Sequence, residues 1–89
     1  MTELELFVNE IVEEVSRARA KFPGKNVTFA ALVEEVGELA TALFEEPKER
    51  VRREAAQVAV MAIRVALDGD YTFEDFRKLK GLDALNDYT

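Results

Sequence analysis

From Ala55 to Leu67 every residue is apolar except Gln57 and Arg64. A stretch of that length, apolar on nearly all sides, is an interior helix. It is too short to cross a bilayer, which takes roughly 20 apolar residues. Protein must therefore surround it. In a chain of 89 residues, about three further helices are available, and they barely cover a central one. The expected fold class is all-α. We expect a small four-helix bundle, one domain over residues 1–89, completed by oligomerisation.

The flanking segments read as those helices. Thr2 and Glu5 form a capping box, and Leu4, Phe7, Val8, Ile11, Val12, Val15 and Ala18 recur at helical spacing. Pro23-Gly24 ends this helix near Lys21. Thr28 is placed to cap a second helix, whose stripe is Phe29, Leu32, Val33, Val36, Leu39, Ala40 and Leu43. Gly37 costs that helix about 1 kcal/mol relative to alanine, which points to close approach by another backbone. Pro47 suits the first position of the third helix. Gly69 reads as a left-handed stop after it. Thr72 and Asp75 then read as a capping box for a short fourth helix carrying Phe73, Phe76 and Leu79. Residues after Gly81 read as an irregular end available to a partner.

Composition removes whole classes of chemistry. There is no cysteine and no histidine. Disulfides, thiolate zinc sites and Ser-His or Cys-His nucleophile systems are therefore excluded. Eighteen acids against 12 bases leave a net charge of −6, which argues against a nucleic acid polymer as partner. No segment is long and apolar enough for a membrane span. The start, Met-Thr-Glu-Leu-Glu, lacks the basic opening of a signal peptide. A cytoplasmic protein is expected.

What remains is carboxylate, amine, hydroxyl and metal. Glu35 and Glu38 share a face on the second helix, flanking the apolar stripe beside Ala31 and Ala42. Glu54 and Gln57 stand at the same i, i+3 spacing on the third helix, and Arg64 shares their face two turns on. If the two helices run antiparallel, three carboxylates and one amide oxygen surround a point. An all-oxygen set of that kind suits Mg²⁺ or Mn²⁺. Such an ion promotes attack of water on a phosphate ester or anhydride. Blander roles exist for each residue. Glu34 fits a solvated face, Glu54 can pair with Arg50, and Gln57 and Arg64 can act as polar glue. The run Asp68-Gly69-Asp70-Tyr71-Thr72 is not a calcium loop, because its sixth and twelfth positions are Phe73 and Leu79.

The pattern Glu34-Glu35-Val36-Gly37-Glu38, fifteen intervening residues, then Glu54-Ala55-Ala56-Gln57 resembles the E-E-x-x-E … E-x-x-D signature of the MazG-like all-α nucleoside triphosphate pyrophosphohydrolases. The likeness runs from about Lys21 to Gly69 and takes in the apolar text around the acids. It implies a helical bundle assembled as a homodimer or homotetramer. The implied activity is Mg²⁺-dependent cleavage of a nucleoside triphosphate to monophosphate and pyrophosphate. By position it implies Glu35, Glu38, Glu54 and Gln57 as metal ligands. It implies Glu34 as an aid to the attacking water, alongside Glu35 and Glu38 in catalysis. Lys25, Arg53 and Arg64 would meet phosphates, Asn26 the phosphates or the base, and Phe22 or Phe29 would stack on the base. The chain departs from the pattern at Gln57, where the family carries an acid. Three outcomes follow: Gln57 serves as a neutral ligand, Glu34 is recruited in its place, or hydrolysis is lost and a dimerising or nucleotide-binding module remains.

Overall fold

The computed structural model describes residues 1–86. It contains α1 (Glu3–Lys21), α2 (Thr28–Glu45), α3 (Lys48–Asp68), a 3-10 turn (Tyr71–Phe73) and α4 (Glu74–Leu79). The described residues contain no strand, and no helix among them is long and apolar enough to cross a membrane. α3 is the central element. α1 and α2 each pack along it but not against each other. α1 runs parallel to α3, since Glu10 pairs with Arg52 at one end and Arg19 with Asp68 at the other. α2 runs antiparallel to α3: Thr28 Oγ1 donates to Gly69 O at 2.8 Å, while the middle of α2 lies beside Glu54.

Apolar burial is modest and concentrated on one side of α3. Ile11 and Val15 of α1 meet Val60, with Phe7, Ala18, Ala56, Ala59 and Ile63 packed around them. The rest of the α1 stripe (Leu4, Val8 and Val12) is exposed. α2 departs further from expectation. Its most apolar stripe, with Phe29, Val33, Val36 and Leu43, faces outward. The covered side of α2 carries Thr28, Ala31, Leu32, Glu35, Leu39 and Ala42: Ala42 is fully buried, and Leu32 and Leu39 of the expected stripe are half-buried. Small side chains let the two backbones approach, because the gap between packed helices is set by the side chains at the contact. Apart from Gly37's own neighbours and helix backbone, no atom of the described residues lies within 4 Å of where a Cβ on it would stand. The close approach expected at that glycine is therefore not made among the described residues.

The helix ends correct four sequence expectations. The capping box of Thr2 and Glu5 forms. Thr28, however, is the first residue of α2 rather than its cap, and the N-cap is Val27 in the left-handed region at φ 54°, ψ 27°. A β-branched residue there is strained by about 1–2 kcal/mol. The missing side-chain cap is supplied from 43 residues away. Asp70 accepts from Val27 N at 3.2 Å and Phe29 N at 2.8 Å. Pro47 is the N-cap of α3, with Arg50 N donating to its carbonyl at 2.9 Å, and does not occupy the first helical position. Gly69 has a positive φ of 77° but ψ −170°, an extended conformation open to glycine and outside the left-handed helical region. Thr72 does not form a box with Asp75. Its N–H and hydroxyl both donate to Asp70, which shapes the 3-10 turn before α4. Beyond Gly81, Leu85 N donates to Glu74 and Asn86 to Leu67 O. The final three positions of the expected irregular end, 87–89, lie outside the described residues.

Asp70 is only 1 % exposed. Burial alone would raise its pKa, but the hydrogen bonds from Thr72 and Phe29 outweigh it and hold the carboxyl below the ordinary 3.8. A depressed acid stabilises the fold above its unfolded-state pKa, and that contribution is lost as pH falls through the folded-state value. Asp70→Ala is therefore expected to cost about 2 kcal/mol at pH 7 in urea denaturation. The penalty should shrink below pH 3.8.

Candidate metal centre and adjoining cleft

Antiparallel packing of α2 on α3 sets the acids of one helix against those of the other. Oxygens of Glu35, Glu38 and Glu54 all lie within 4.8 Å of one another. Glu54 is buried, Glu35 half-buried and Glu38 exposed, so the group opens to solvent on one side. Glu35 Oε2 is buried and has no hydrogen-bond partner. Arg50 Nη2 approaches Glu54 Oε1 at 3.4 Å, but the same guanidinium also pairs with Glu46. Glu34 is exposed on the outer side of α2. It contributes charge to the neighbourhood, not a ligand oxygen to the trio.

The electrostatic consequence falls on Glu35. Burial pushes its pKa up, the adjacent Glu38 pushes it further, and Glu54 and Glu34 add to the effect, reaching about 7. Like charges at this range cannot all persist without a positive partner. Three hard oxygen donors, one of them orphaned and buried, fit a hard divalent cation such as Mg²⁺ or Mn²⁺. They do not fit a soft metal, and the chain has no thiol or imidazole to offer one.

Beside the acids lies a cleft of ≈ 600 Å³ between the α1–α2 loop, α2 and α3. Phe22, Asn26, Glu35, Gln57 and Arg64, singled out in the sequence, all line it. Gln57 thus stands in the same cleft as Glu35. Lys21 and Met61 line it as well. Sequence reasoning passed over both: Lys21 as the last residue of a helix, Met61 as core. Other assignments fall elsewhere. Arg53 lines a separate groove with Glu13, Glu14 and Arg17, sharing Gln57 as a wall. Lys25 is not in the lining of the acid cleft, and its carbonyl accepts from Tyr71 N at 2.9 Å. Phe29 stacks edge-on against Phe73 at 5.6 Å and faces a different, apolar cavity of ≈ 270 Å³. Of the two candidate platforms for a base, Phe22 is the one in the acid cleft. Arg64 is committed to the fold: it is 4 % exposed and donates to Asp68, Phe22 O and Gly24 O. A phosphate would have to compete for it.

The raised pKa of Glu35 has a definite sign. The folded chain holds a proton that the unfolded chain releases near 4.5. Stability from this group is thus present below pH 4.5 and is lost as pH rises towards 7. In chelator, denaturation curves of the unaltered chain should weaken across this window, and Glu35→Gln should abolish that loss. The variant should then be the more stable protein at pH 8 and similar to the parent at pH 4.

Comparison with known proteins adds no relative, since no family model, no curated protein and no solved structure matches the chain.

Proposed function

We propose that this chain is a Mg²⁺- or Mn²⁺-dependent hydrolase that cleaves a nucleoside triphosphate to monophosphate and pyrophosphate. The observation that carries the proposal is the trio Glu35, Glu38 and Glu54, gathered within 4.8 Å from two helices around an orphaned carboxylate oxygen. The MazG-like spacing of these residues supports the choice of substrate. So does the adjoining cleft, which holds an exposed aromatic ring, an amide and a lysine within one space: Phe22, Asn26 and Lys21.

In this reading Glu35, Glu38 and Glu54 hold the ion, and Gln57 offers a neutral oxygen where the family has an acid. When bound, the ion supplies charge neutralisation for the phosphate oxygens and lowers the pKa of water. Phe22 stacks on the base, and Asn26 takes hydrogen bonds from its edge or from the sugar. Lys21, on the cleft wall, meets the phosphates in place of Lys25 and Arg53. Glu34 precedes the ligand Glu35 by one position, and from the outer side of α2 it would aid the attacking water through its charge, as the family likeness implies, and not as a ligand. The outward stripe of α2, with Val33, Val36 and Leu43 around the open side of Gly37, packs against a second copy to give a homodimer or, with further copies, a homotetramer.

The alternative is a helical module that binds cation and nucleotide without turnover. It is favoured by one feature, the uncharged Gln57. The two readings separate in an assay of pyrophosphate release over a panel of ribo- and deoxynucleoside triphosphates with Mg²⁺ or Mn²⁺. The hydrolase reading expects turnover that Glu38→Gln lowers by about 100-fold or more, with far-UV circular dichroism and assembly unchanged. Nucleotide retained without pyrophosphate release would support the module. Neither turnover nor any metal-dependent rise in melting temperature, which a ligand of the folded state must produce, would sink both.

A further inference from the structure

We infer that Arg64 is a positioning residue for nucleotide binding: it holds the α1–α2 loop so that Phe22 and Asn26 form the cleft wall facing Glu35 and Gln57. The inference rests on the nucleotide reading above but concerns a residue that need not touch the ligand.

The far half of the loop is tied to the end of α3 through Lys25 O, which accepts from Tyr71 N, and Val27 N, which donates to Asp70; the half from Phe22 to Gly24 has little of its own to hold it. The Phe22 ring is exposed, Pro23 has no N–H to donate, and a Cβ on Gly24 would meet nothing within 4 Å. Its shape comes from outside. Arg64 Nη2 donates to Phe22 O at 2.8 Å and to Gly24 O at 3.2 Å. These bonds span Pro23, at the point where the chain leaves α1. The guanidinium is itself oriented, with Nε on Asp68 Oδ2 at 3.0 Å. Asp68 in turn is gripped by Arg19 at 2.8 Å and 3.1 Å. Arg19 belongs to the last turns of α1, so this chain of charged bonds ties the end of α1, the loop and the end of α3 together.

Arg64 also stands on the helix that carries Glu54 and Gln57. The same rigid element therefore fixes one side of the cleft by its own side chains and the other by hydrogen bonds to loop carbonyls. A planar guanidinium can serve two carbonyls and a carboxylate at fixed angles, whereas an ammonium lacks that fork. The predicted consequence of losing the fork is a looser wall. Nucleotide affinity falls, while the acids, held by helix packing, keep their cation.

The test is Arg64→Lys in the full chain. Amides of Phe22, Val27 and Tyr71, whose hydrogen bonds hold the two ends of the loop and its Lys25 carbonyl, should exchange with deuterium about tenfold faster, with the middles of α2 and α3 unchanged. KM for the preferred triphosphate should rise about tenfold with kcat within about threefold, and Mn²⁺ affinity should stay the same. In a Phe22→Ala/Asn26→Ala background, Arg64→Lys should raise KM no further, because its effect passes through those side chains. A KM increase that persists in that background would mean direct phosphate contact and would overturn the inference. So would unchanged loop exchange in an active Arg64→Lys protein. Should Arg64→Lys fail to fold, Asp68→Asn keeps the guanidinium but frees it. Loop exchange and KM are then expected to move the same way by about threefold, and no movement overturns the inference. Absence of both turnover and nucleotide binding in the unaltered chain is a different result and defeats the functional reading itself.

Discussion

Mutual repulsion among Glu35, Glu38 and Glu54 is the constraint around which the molecule is arranged. The contact between α2 and α3 is built on small side chains, with Ala42 fully buried, and this draws the two backbones together. The same closeness brings the acids within 4.8 Å of one another and leaves Glu35 Oε2 buried without a partner. An apolar pair in those positions would have stabilised the contact. The chain instead keeps a local electrostatic cost, expressed in the elevated pKa of Glu35. Costs of that kind concentrate at functional sites, where something absent from the free chain relieves them.

The end of α3 is the second organising element. Within a few residues it supplies Arg64 to the α1–α2 loop, Asp68 to Arg19 of α1, Gly69 O to Thr28, and Asp70 to the first turn of α2. Thus the start of the acid-bearing helix and the wall of the neighbouring cleft are both fastened to one short stretch. Local unfolding there would disturb the cleft before it disturbed the α1–α3 core around Val60.

Much of this was legible from spacing alone, and the failures are instructive. The three long helices, the Thr2–Glu5 box and the stop at Pro23-Gly24 depend on contacts a few residues apart, and local patterns report such contacts well. The grouping of Glu35, Glu38 and Glu54 was legible because helical periodicity fixes each face, and an antiparallel neighbour then leaves few registers. The face that α2 turns inward was not. Of the expected stripe only Leu32 and Leu39 are partly covered, while Phe29, Val33, Val36 and Leu43 stay exposed; packing within the chain is rotated towards the alanine-bearing flank, a matter of fit that periodicity does not weigh. The role of Asp70 has no sign in the sequence, because nothing near it in the chain marks a bond to an amide 43 positions earlier. The family resemblance implies a phosphate contact for Arg64. Its acceptors are backbone carbonyls, which carry no signature in the sequence. The resemblance implies the same for Lys25 and Arg53, but their departure from the cleft is decided by the loop and by rotation about the α3 axis.

A crystal of the full chain soaked in Mn²⁺ and measured at the manganese absorption edge tests the central claim most directly. The account predicts an anomalous peak bound by oxygens of Glu35, Glu38 and Glu54, with Gln57 or solvent completing the shell. Those three side chains splayed apart into solvent, with no peak between α2 and α3, would contradict it.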